Sequence, residues 1–378
     1  MSHAPTASLK QRHQNIRRAC QAQSLDALIV TSLPNVLYLS NFKGSAAIAV
    51  LTADRLEFIT DFRYLTALDA TRGSPSECPD LAVVPVDTSY EEALAGVLQR
   101  LPGARVGFEA ANMTVARMQW LERRLAGAAG RPGLVATERL VERARVVKDA
   151  FEIAVLRESA SRLSEVAVAV TAEVRRGRTE KDIAQSLDRR MLAAGFERPA
   201  FDTIVASGPN AALPHARPGE RTISEGDLVV LDFGGVYDSY CSDLTRTVSV
   251  GPASARAREV HQAVRDAHDR AIAAVRPGRS RFAIDAAARD LLGERGLGEA
   301  FGHGTGHGLG IEIHEDPRIG RPRPDPETDE AVAPGMVFTI EPGAYLPGWG
   351  GVRIEDDVLV TAGGVEVLTA VTTDLVEI

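Results

Sequence analysis

Three histidines, His303, His307 and His314, lie in one glycine-rich segment, FGHGTGHGLGIEIHE, at residues 301–315. Histidine is scarce elsewhere, with eight residues in a chain of 378. Imidazole is the commonest nitrogen ligand for metals and titrates near neutral pH, and glycine lets two backbones approach closely. A flexible loop or an adventitious metal-binding tract would have the same composition. Carboxylates elsewhere in the chain must therefore decide whether this segment belongs to a functional site.

Four acidic residues lie in or at the end of apolar, strand-like runs. Asp232 ends DLVVLD, Asp243 lies in YCSDLTRT, Glu341 ends MVFTIE and Glu355 lies in GVRIEDD. Each alone has an ordinary interpretation, turn chemistry for the aspartates and a salt bridge for the glutamates. However, a carboxylate in an apolar run is costly to bury unless it is paired or binds a metal. Together with His307, the four carboxylates carry enough negative charge to balance two divalent cations.

The chemistry of these five side chains favours particular metals. Oxygen ligands with a single nitrogen suit Mn²⁺ best, with Co²⁺ or Zn²⁺ as alternatives, and they exclude metals that prefer thiolates. Two such ions can generate a nucleophile from water at neutral pH and polarise a carbonyl. A calcium-binding EF-hand loop is disfavoured because its D-x-D-x-D-G spacing is missing.

The order of the motifs carries a resemblance to a known family. LDFGG with SDLTRT, GHGTGHGLG, TIEPG and GVRIEDD resemble the metal-ligand motifs of the pita-bread metallopeptidases, which include methionine aminopeptidase, aminopeptidase P and prolidase. The resemblance covers the chain from about residue 148 to its end. The region before it is similar to the N-terminal domain of the proline-specific branch and of creatinase. The resemblance implies an α+β pita-bread catalytic domain with internal pseudo-twofold symmetry, two metal ions and a homodimer.

The resemblance also implies individual ligand roles. Asp232 would bind one metal ion, and Asp243 and Glu355 would bridge both ions. His307 and Glu341 would complete the ligand set. Glu341 would also carry a proton to the departing proline nitrogen.

Three further histidines match catalytic positions of the family. His215, in LPHARPG, and His314 are expected to face the substrate carbonyl and to stabilise the tetrahedral oxyanion. His303 occupies a position where aminopeptidase P has a histidine that lines the site. The alternative for His303 is a structural hydrogen bond.

Three residues are expected to bind substrate. Tyr345 and Arg353 match pocket positions of the proline-specific members, with packing and an ion pair to a ligand carboxylate as their alternatives. In prolidases an arginine shortly after the HE motif binds the free carboxylate of a dipeptide, and Arg318 in HEDPRIG has this setting.

The predicted reaction is the hydrolysis of Xaa-Pro dipeptides, as in prolidase. The alternative is an Xaa-Pro aminopeptidase that acts on longer peptides, which TDFRY at residues 60–64 favours. Relatives of the same fold that only bind other molecules lack the ligand set, which is complete here. A dinucleotide enzyme is disfavoured because the glycine-rich segment contains no G-x-G-x-x-G.

The secondary-structure elements that must position these residues fall into two predicted domains, with a boundary near residues 142–148. Residues 1–145 are predicted to form an α/β domain in which Pro34-Asn35 interrupts the chain between elements. Its predicted elements are strands at Ala27–Thr31, Ala46–Thr52, Leu56–Thr60, Leu81–Val86 and Arg105–Glu109, and helices at 61–70, 89–101 and 114–126.

Residues 146–378 are predicted to form the catalytic domain, which suggests a duplicated unit of two helices followed by strands. Phe233-Gly234-Gly235 is predicted to form a turn after Asp232, and Thr179 is predicted to cap a helix. The predicted helices are 148–176, 180–194, 253–275 and 280–295, and the predicted strands are Phe201–Ser207, Asp227–Asp232, Thr245–Val250, Met336–Glu341 and Gly351–Val360.

Composition limits the partners. A net charge of −8 argues against nucleic-acid binding, and no apolar run is long enough for a membrane span. Three distant cysteines, Cys20, Cys78 and Cys241, form neither a disulfide framework nor a CxxC metal site, which favours the cytoplasm. The expected partners are a proline-containing peptide and a second copy of the chain.

Overall fold

The computed structural model describes residues 3–127, 130–322 and 330–378. The chain divides into two compact units, one extending to Arg145 and the other comprising Val146–Ile378. In the described ranges, no helix combines the length and the apolar character that crossing a membrane requires.

The first unit is built on a six-stranded mixed sheet. The strand order is β4-β3-β2-β1-β5-β6, in which β1–β5, β5–β6 and β3–β4 are parallel and β1–β2 and β2–β3 are antiparallel. Its strands are β1 (Ala27–Val30), β2 (Ile48–Leu51), β3 (Leu56–Thr60), β4 (Leu81–Pro85), β5 (Arg105–Glu109) and β6 (Gly133–Thr137). Its helices are α1 (Thr6–Ala22), α2 (Leu33–Ser40), α3 (Phe62–Asp69), α4 (Tyr90–Gln99), α5 (Val115–Leu125) and α6 (Leu140–Arg145).

All five strands predicted for this unit are confirmed, as are the helices that became α3, α4 and α5. The interruption predicted at Pro34-Asn35 is wrong, because both residues lie in the first turn of α2. Proline is accepted there, since its missing N–H would have no partner inside the helix. Helices α1, α2 and α6 and strand β6 were not predicted.

The second unit contains two five-stranded sheets and a two-stranded ribbon. The first sheet has the order β18-β10-β9-β7 with β8 also paired to β9, the second has the order β12-β11-β13-β16-β17, and β14 pairs with β15. Its helices are α7 (Ala150–Thr171), α8 (Glu180–Ala193), α9 (Ala255–Ala274) and α10 (Arg281–Glu294). Its strands are β7 (Arg198–Pro199), β8 (Ile204–Ser207), β9 (Leu228–Tyr237), β10 (Tyr240–Ser249), β11 (Gly306–Gly308), β12 (Glu315–Ile319), β13 (Val337–Ile340), β14 (Gly343–Leu346), β15 (Gly350–Arg353), β16 (Asp356–Thr361), β17 (Gly364–Val367) and β18 (Val376–Glu377).

Each half of this unit packs two helices on one five-stranded sheet. Leu163 of α7 and Ile183 of α8 share a buried core with the hairpin β9–β10. Val264 of α9 and Ile284 of α10 share another with β13 and β16. The predicted succession of two helices followed by strands therefore occurs twice. Thr179 caps α8 as predicted, in a capping box with Asp182.

The turn predicted at Phe233-Gly234-Gly235 is wrong. Strand β9 continues through these residues to Tyr237, and the chain reverses at Asp238 and Ser239, which have φ values of 46° and 72°. The glycine at 234 serves packing, since a Cβ there would lie 2.5 Å from the carbonyl oxygen of Ser242.

The single strand predicted at Gly351–Val360 is also wrong, because Ile354 and Glu355 separate it into β15 and β16. Strand β15 pairs with β14, whereas β16 pairs with β13 and β17. Glu355 instead forms an isolated bridge with Thr245 of β10. The break therefore carries Glu355 from the second half of the unit to the hairpin of the first half.

Candidate metal centre and active site

The hairpin β9–β10 places two aspartates on one face. Asp232 lies beside Thr245, and Asp243 lies beside Gly234, two pairs further along the ladder. Because alternate residues of a strand face the same side, both carboxylates project from the same surface. Both residues are buried.

Glu355 joins them from the second half of the unit. Its backbone N–H donates to the carbonyl oxygen of Thr245 at 3.1 Å, and the Thr245 hydroxyl donates to Glu355 Oε2 at 2.6 Å. The backbone N–H of Asp243 donates to Asp357 Oδ2 at 3.0 Å. These contacts hold the two bridging candidates, Asp243 and Glu355, on opposite sides of the junction between the two halves.

His307 and Glu341 approach from β11 and from the end of β13. His307 Nε2 lies 3.9 Å from Asp243 Oδ2 and 3.7 Å from Glu341 Oε1. These distances are too long for hydrogen bonds. Asp243, His307 and Glu355 offer ligand atoms that all lie within 4.8 Å of one another, which is close enough to hold one ion.

The tautomer of His307 suits a ligand. Its Nδ1 lies 3.0 Å from the carbonyl oxygen of Gly308, which can only accept, so Nδ1 carries the proton. Burial lowers the pKa of His307 to about 4, so the ring is neutral at pH 7. Nε2 therefore presents its lone pair towards Asp243 and Glu341.

Burial and mutual repulsion disfavour the ionised form of these carboxylates. Burial raises the pKa of Asp243 and of Glu355 well above the ordinary values, and repulsion from neighbouring carboxylates raises both further. Burial raises the pKa of Glu341 to about 7. Among the described residues, Asp243 Oδ1 is buried and has no hydrogen-bond partner. Divalent cations would relieve the repulsion and occupy this orphaned oxygen, so the residues present fit a metal centre.

A cavity of about 550 Å³ opens over these residues. All five predicted metal ligands line it, together with His215, His303, His314, Arg318 and Arg353. The ring of His314 lies 4.4 Å from that of His307, centroid to centroid. Burial lowers the pKa of His314, and the nearby imidazole of His215 lowers it further. The structure therefore brings the two predicted oxyanion-stabilising histidines together at the wall of the cavity.

Arg353, Tyr345 and His303 form a hydrogen-bonded chain at the cavity wall. Arg353 Nη2 contacts Asp232 Oδ2, and Nη1 donates to the Tyr345 hydroxyl at 2.7 Å. The Tyr345 hydroxyl lies 2.9 Å from Nε2 of His303, whose Nδ1 lies 2.8 Å from the carbonyl oxygen of Gly304. Burial raises the pKa of Tyr345 to about 12, so the hydroxyl stays protonated and donates to His303.

This chain bears on three predicted roles. Arg353 forms an ion pair with a predicted metal ligand, which is the alternative named for it above. Both ring nitrogens of His303 have hydrogen-bonding partners, which is also its structural alternative. Tyr345 does not belong to the described residues that line the cavity, and its hydroxyl contacts Arg353 and His303. The geometry therefore offers no direct substrate contact for Tyr345.

Arg318 lies in β12 at the edge of the cavity. Its Nη2 donates to the carbonyl oxygen of Arg321 at 2.7 Å, and Arg281 Nη1 donates to the Arg318 carbonyl oxygen at 3.1 Å. Arg318 lines the cavity, which is compatible with the predicted contact to a substrate carboxylate.

The residues that support the site, and those that form its apolar wall, were not predicted from the sequence. Asp285 of α10 accepts from the backbone N–H and the hydroxyl of Thr305, and Arg289 donates to the carbonyl oxygen of His303 at 2.7 Å. The spacing of Asp285 and Arg289, four residues apart on one helix, was a visible signal of an ion pair, but not of its target. Phe201, Ile204, Pro214 and Ile313 line the cavity, and none has a sequence feature that marks it.

Two known families match the chain. Residues 12–147 match the creatinase/prolidase N-terminal domain, and residues 154–362 match metallopeptidase family M24. An uncharacterised peptidase of Bacillus subtilis, YqhT, is 36% identical over 356 residues, which cover 94% of this chain and 97% of that protein.

Solved structures of two proline-specific peptidases have the same fold as this chain. The Xaa-Pro dipeptidase of Bacillus anthracis superposes with a TM-score of 0.90 at 34% identity, covering 98% of this chain and all of that one. The X-Pro aminopeptidase of Thermotoga maritima gives a TM-score of 0.85 at 32% identity, covering 96% of this chain and all of that one. The fold of the second unit is therefore that of the pita-bread peptidases, as expected from the motifs.

Proposed function

The chain belongs to metallopeptidase family M24 and carries the creatinase/prolidase N-terminal domain, and from this premise we propose that it hydrolyses the Xaa-Pro bond of dipeptides. It is a metallopeptidase that uses divalent metal. The observation that carries the proposal is the convergence of a complete carboxylate–histidine ligand set with His215, His314 and Arg318 around one cavity.

We propose two divalent cations, Mn²⁺ first and Co²⁺ or Zn²⁺ as alternatives. The carboxylate-rich donor set and the orphaned oxygen of Asp243 support this choice. When bound, such ions supply a nucleophile from water at neutral pH and polarise the attacked carbonyl. The proposed ligands are Asp232, Asp243, His307, Glu341 and Glu355.

The remaining chemistry belongs to side chains of the cavity. His215 and His314 are placed to donate hydrogen bonds to the developing oxyanion. The bond to proline is a tertiary amide whose nitrogen must gain a proton to leave. Glu341, which lines the cavity, is the proposed source of that proton.

Arg318 supports dipeptides over longer substrates. A guanidinium on the rim recognises a free carboxylate by charge and paired hydrogen bonds, and in a dipeptide that carboxylate belongs to the proline. The second candidate is an Xaa-Pro aminopeptidase, which the likeness to the Thermotoga maritima enzyme favours.

We also propose a homodimer in a reducing compartment, the cytoplasm. The homodimer follows from the resemblance of the motifs to the proline-specific peptidases. Cys20, Cys78 and Cys241 are all buried and free, which supports a compartment where disulfides do not form.

Product analysis on metal-depleted protein tests the proposal. The protein is restored with Mn²⁺, Co²⁺ or Zn²⁺ and assayed with Ala-Pro, Ala-Pro-Ala and, as a control for the proline requirement, Ala-Ala. We expect hydrolysis of Ala-Pro that depends on the metal and is fastest with Mn²⁺. Efficient cleavage of Ala-Pro-Ala would favour the aminopeptidase, and equal cleavage of Ala-Ala would refute specificity for proline.

A further inference from the structure

One buried carboxylate ties both ends of the segment that carries His215. We call residues 207–221, which connect β8 to the region before β9, the His215 loop. Ser207 donates to Glu180 Oε1 twice, from its backbone N–H at 2.7 Å and from its hydroxyl at 2.8 Å. At the other end, the backbone N–H of Gly219 donates to Glu180 Oε2 at 3.3 Å. Glu180 itself is only 1% exposed.

Further contacts close the base of the loop on the same helix. The Asn210 side-chain amide donates to both Glu180 oxygens, at 3.0 and 3.1 Å. The backbone N–H groups of Glu180 and Lys181, in the first turn of α8, donate to the carbonyl oxygens of Arg221 and Gly219 at 3.1 Å each. The free donors of a helix N-terminus and one carboxylate therefore hold the loop together.

The loop reaches from this base to the cavity. Pro214, His215 and Ala216 line the cavity wall, and Arg353 Nη1 lies 3.3 Å from the carbonyl oxygen of Pro214. Arg353 also contacts Asp232. The place of His215 relative to the predicted metal ligand Asp232 is thus fixed by two anchors, Arg353 near the tip and Glu180 at the base.

Burying a carboxylate at the base of a loop is unfavourable in itself. Removing an ionised group from water costs several kcal/mol unless hydrogen bonds compensate, and Glu180 receives them almost entirely from the loop. The interaction therefore confers a defined position on the loop. Unlike Asp243 or Glu355, Glu180 does not line the cavity.

We infer that Glu180 is a positioning residue of the proposed peptidase, which sets the His215 imidazole against the substrate carbonyl by fixing the base of the His215 loop. The inference rests on the proposed function and extends it to a residue outside the cavity. Glu180 acts through His215 and touches neither substrate nor metal.

Glu180→Gln tests the inference by hydrogen–deuterium exchange of the metal-loaded protein. Glutamine keeps the size and one acceptor oxygen, but its NH₂ group cannot accept from Gly219 or Asn210. We expect the amides of residues 207–221 to exchange at least about tenfold faster, since hydrogen bonds from Gly219 and Asn210 to the carboxylate are lost. Because this measurement needs no substrate, it tests the anchor separately from the proposed activity.

Glu173→Gln is the matched control. Glu173 also binds helix α8, where it accepts from Ser186 and Arg190, but its hydrogen bonds come from residues outside the His215 loop. We expect this variant to lose stability without faster exchange in residues 207–221. If Glu180→Gln does not fold, Asn210→Ala removes one donor from the same carboxylate and should give the same local change to a smaller extent.

A double-mutant cycle on Ala-Pro hydrolysis tests the route through His215. We expect Glu180→Gln to lower kcat about 10- to 100-fold with less than threefold change in KM and unchanged metal content, because small misplacements are costly in catalysis. In a His215→Ala background the same change should cost less than twofold. Losses that multiply, or wild-type exchange in residues 207–221, would overturn the inference.

Discussion

Glu341 should make the metal-free protein less stable as the pH rises through neutrality. Burial raises the pKa of this carboxyl from 4.5 in the unfolded chain to about 7 in the folded protein. Between these values the folded state binds more protons than the unfolded state, so the free energy of unfolding falls with rising pH. The contribution is fully present below pH 4.5 and is lost as the pH rises through 7.

The interval from 4.5 to about 7 corresponds to about 3 kcal/mol. Two histidines act in the opposite direction. Burial lowers the pKa of His303 and His307 from 6.5 to about 4, so their contribution is present above pH 6.5 and is lost as the pH falls towards 4. The effect of Glu341 must therefore be read as a difference between wild type and Glu341→Gln.

Urea unfolding of chelator-treated protein at pH 5, 6, 7 and 8 measures that difference. The free energy of unfolding of wild type, relative to Glu341→Gln, should fall by about 3 kcal/mol between pH 5 and pH 8. Glu173→Gln is the control, because hydrogen bonds from Ser186, Arg190 and Arg178 lower the pKa of Glu173 to about 2, below this range. A difference that stays level, or that rises with pH, would refute the assignment of Glu341 as a buried carboxyl held near its neutral form.

Three other predictions concern the cavity rim and its support. His314→Ala should lower kcat on the order of 10²–10³-fold with unchanged metal content, and unchanged turnover would exclude an oxyanion role. Arg318→Met should raise KM for Ala-Pro at least about tenfold but leave KM for Ala-Pro-amide nearly unchanged; an equal rise for both would argue against carboxylate recognition. Lys148 Nζ lies 3.0 Å from Glu315 Oε2 with both side chains buried, so Lys148→Met should destabilise the protein by about 3–5 kcal/mol in urea. Adding Glu315→Gln should recover part of that loss, and no recovery would assign Lys148 to other partners.

The chemistry of the site could be predicted from sequence because each ligand lies in its own short motif. Asp243 and Glu355 are visible as carboxylates in apolar, strand-like runs, and their cost of burial points to a cation without knowledge of the fold. The apolar runs could not show which residues each carboxylate contacts in the folded chain. The bond from Thr245 to Glu355 joins residues 110 positions apart, and it depends on a break after β15 that the apolar pattern conceals.

The strands and helices were predicted correctly where the period of hydrophobic residues alone identifies them. The predictions were wrong where one residue type can serve two purposes. Gly234-Gly235 has the composition of a turn, yet both glycines lie inside β9 because neighbouring atoms leave no room for a Cβ. Pro34 is a residue type that commonly interrupts secondary structure, yet it lies in the first turn of α2. Glu180 lies in the first turn of a capped helix, an ordinary position for an acidic residue, and only the folded chain shows that residues 207–219 converge on it.

The alternation of glycine with histidine in residues 302–308 has a geometric cause that sharpens the assignment of His307. A Cβ on Gly304, Gly306 or Gly308 would lie 2.8, 1.8 or 2.1 Å from a backbone carbonyl oxygen of a neighbouring strand. Side chains are therefore excluded at these three positions, which lets β12 and β13 approach the backbone that carries His303 and His307. His307 lies near Asp243 and Glu341, and His303 contacts Tyr345. A flexible tract would need no such close approach, so the glycines, as much as the histidines, support the segment as one wall of the proposed metal site.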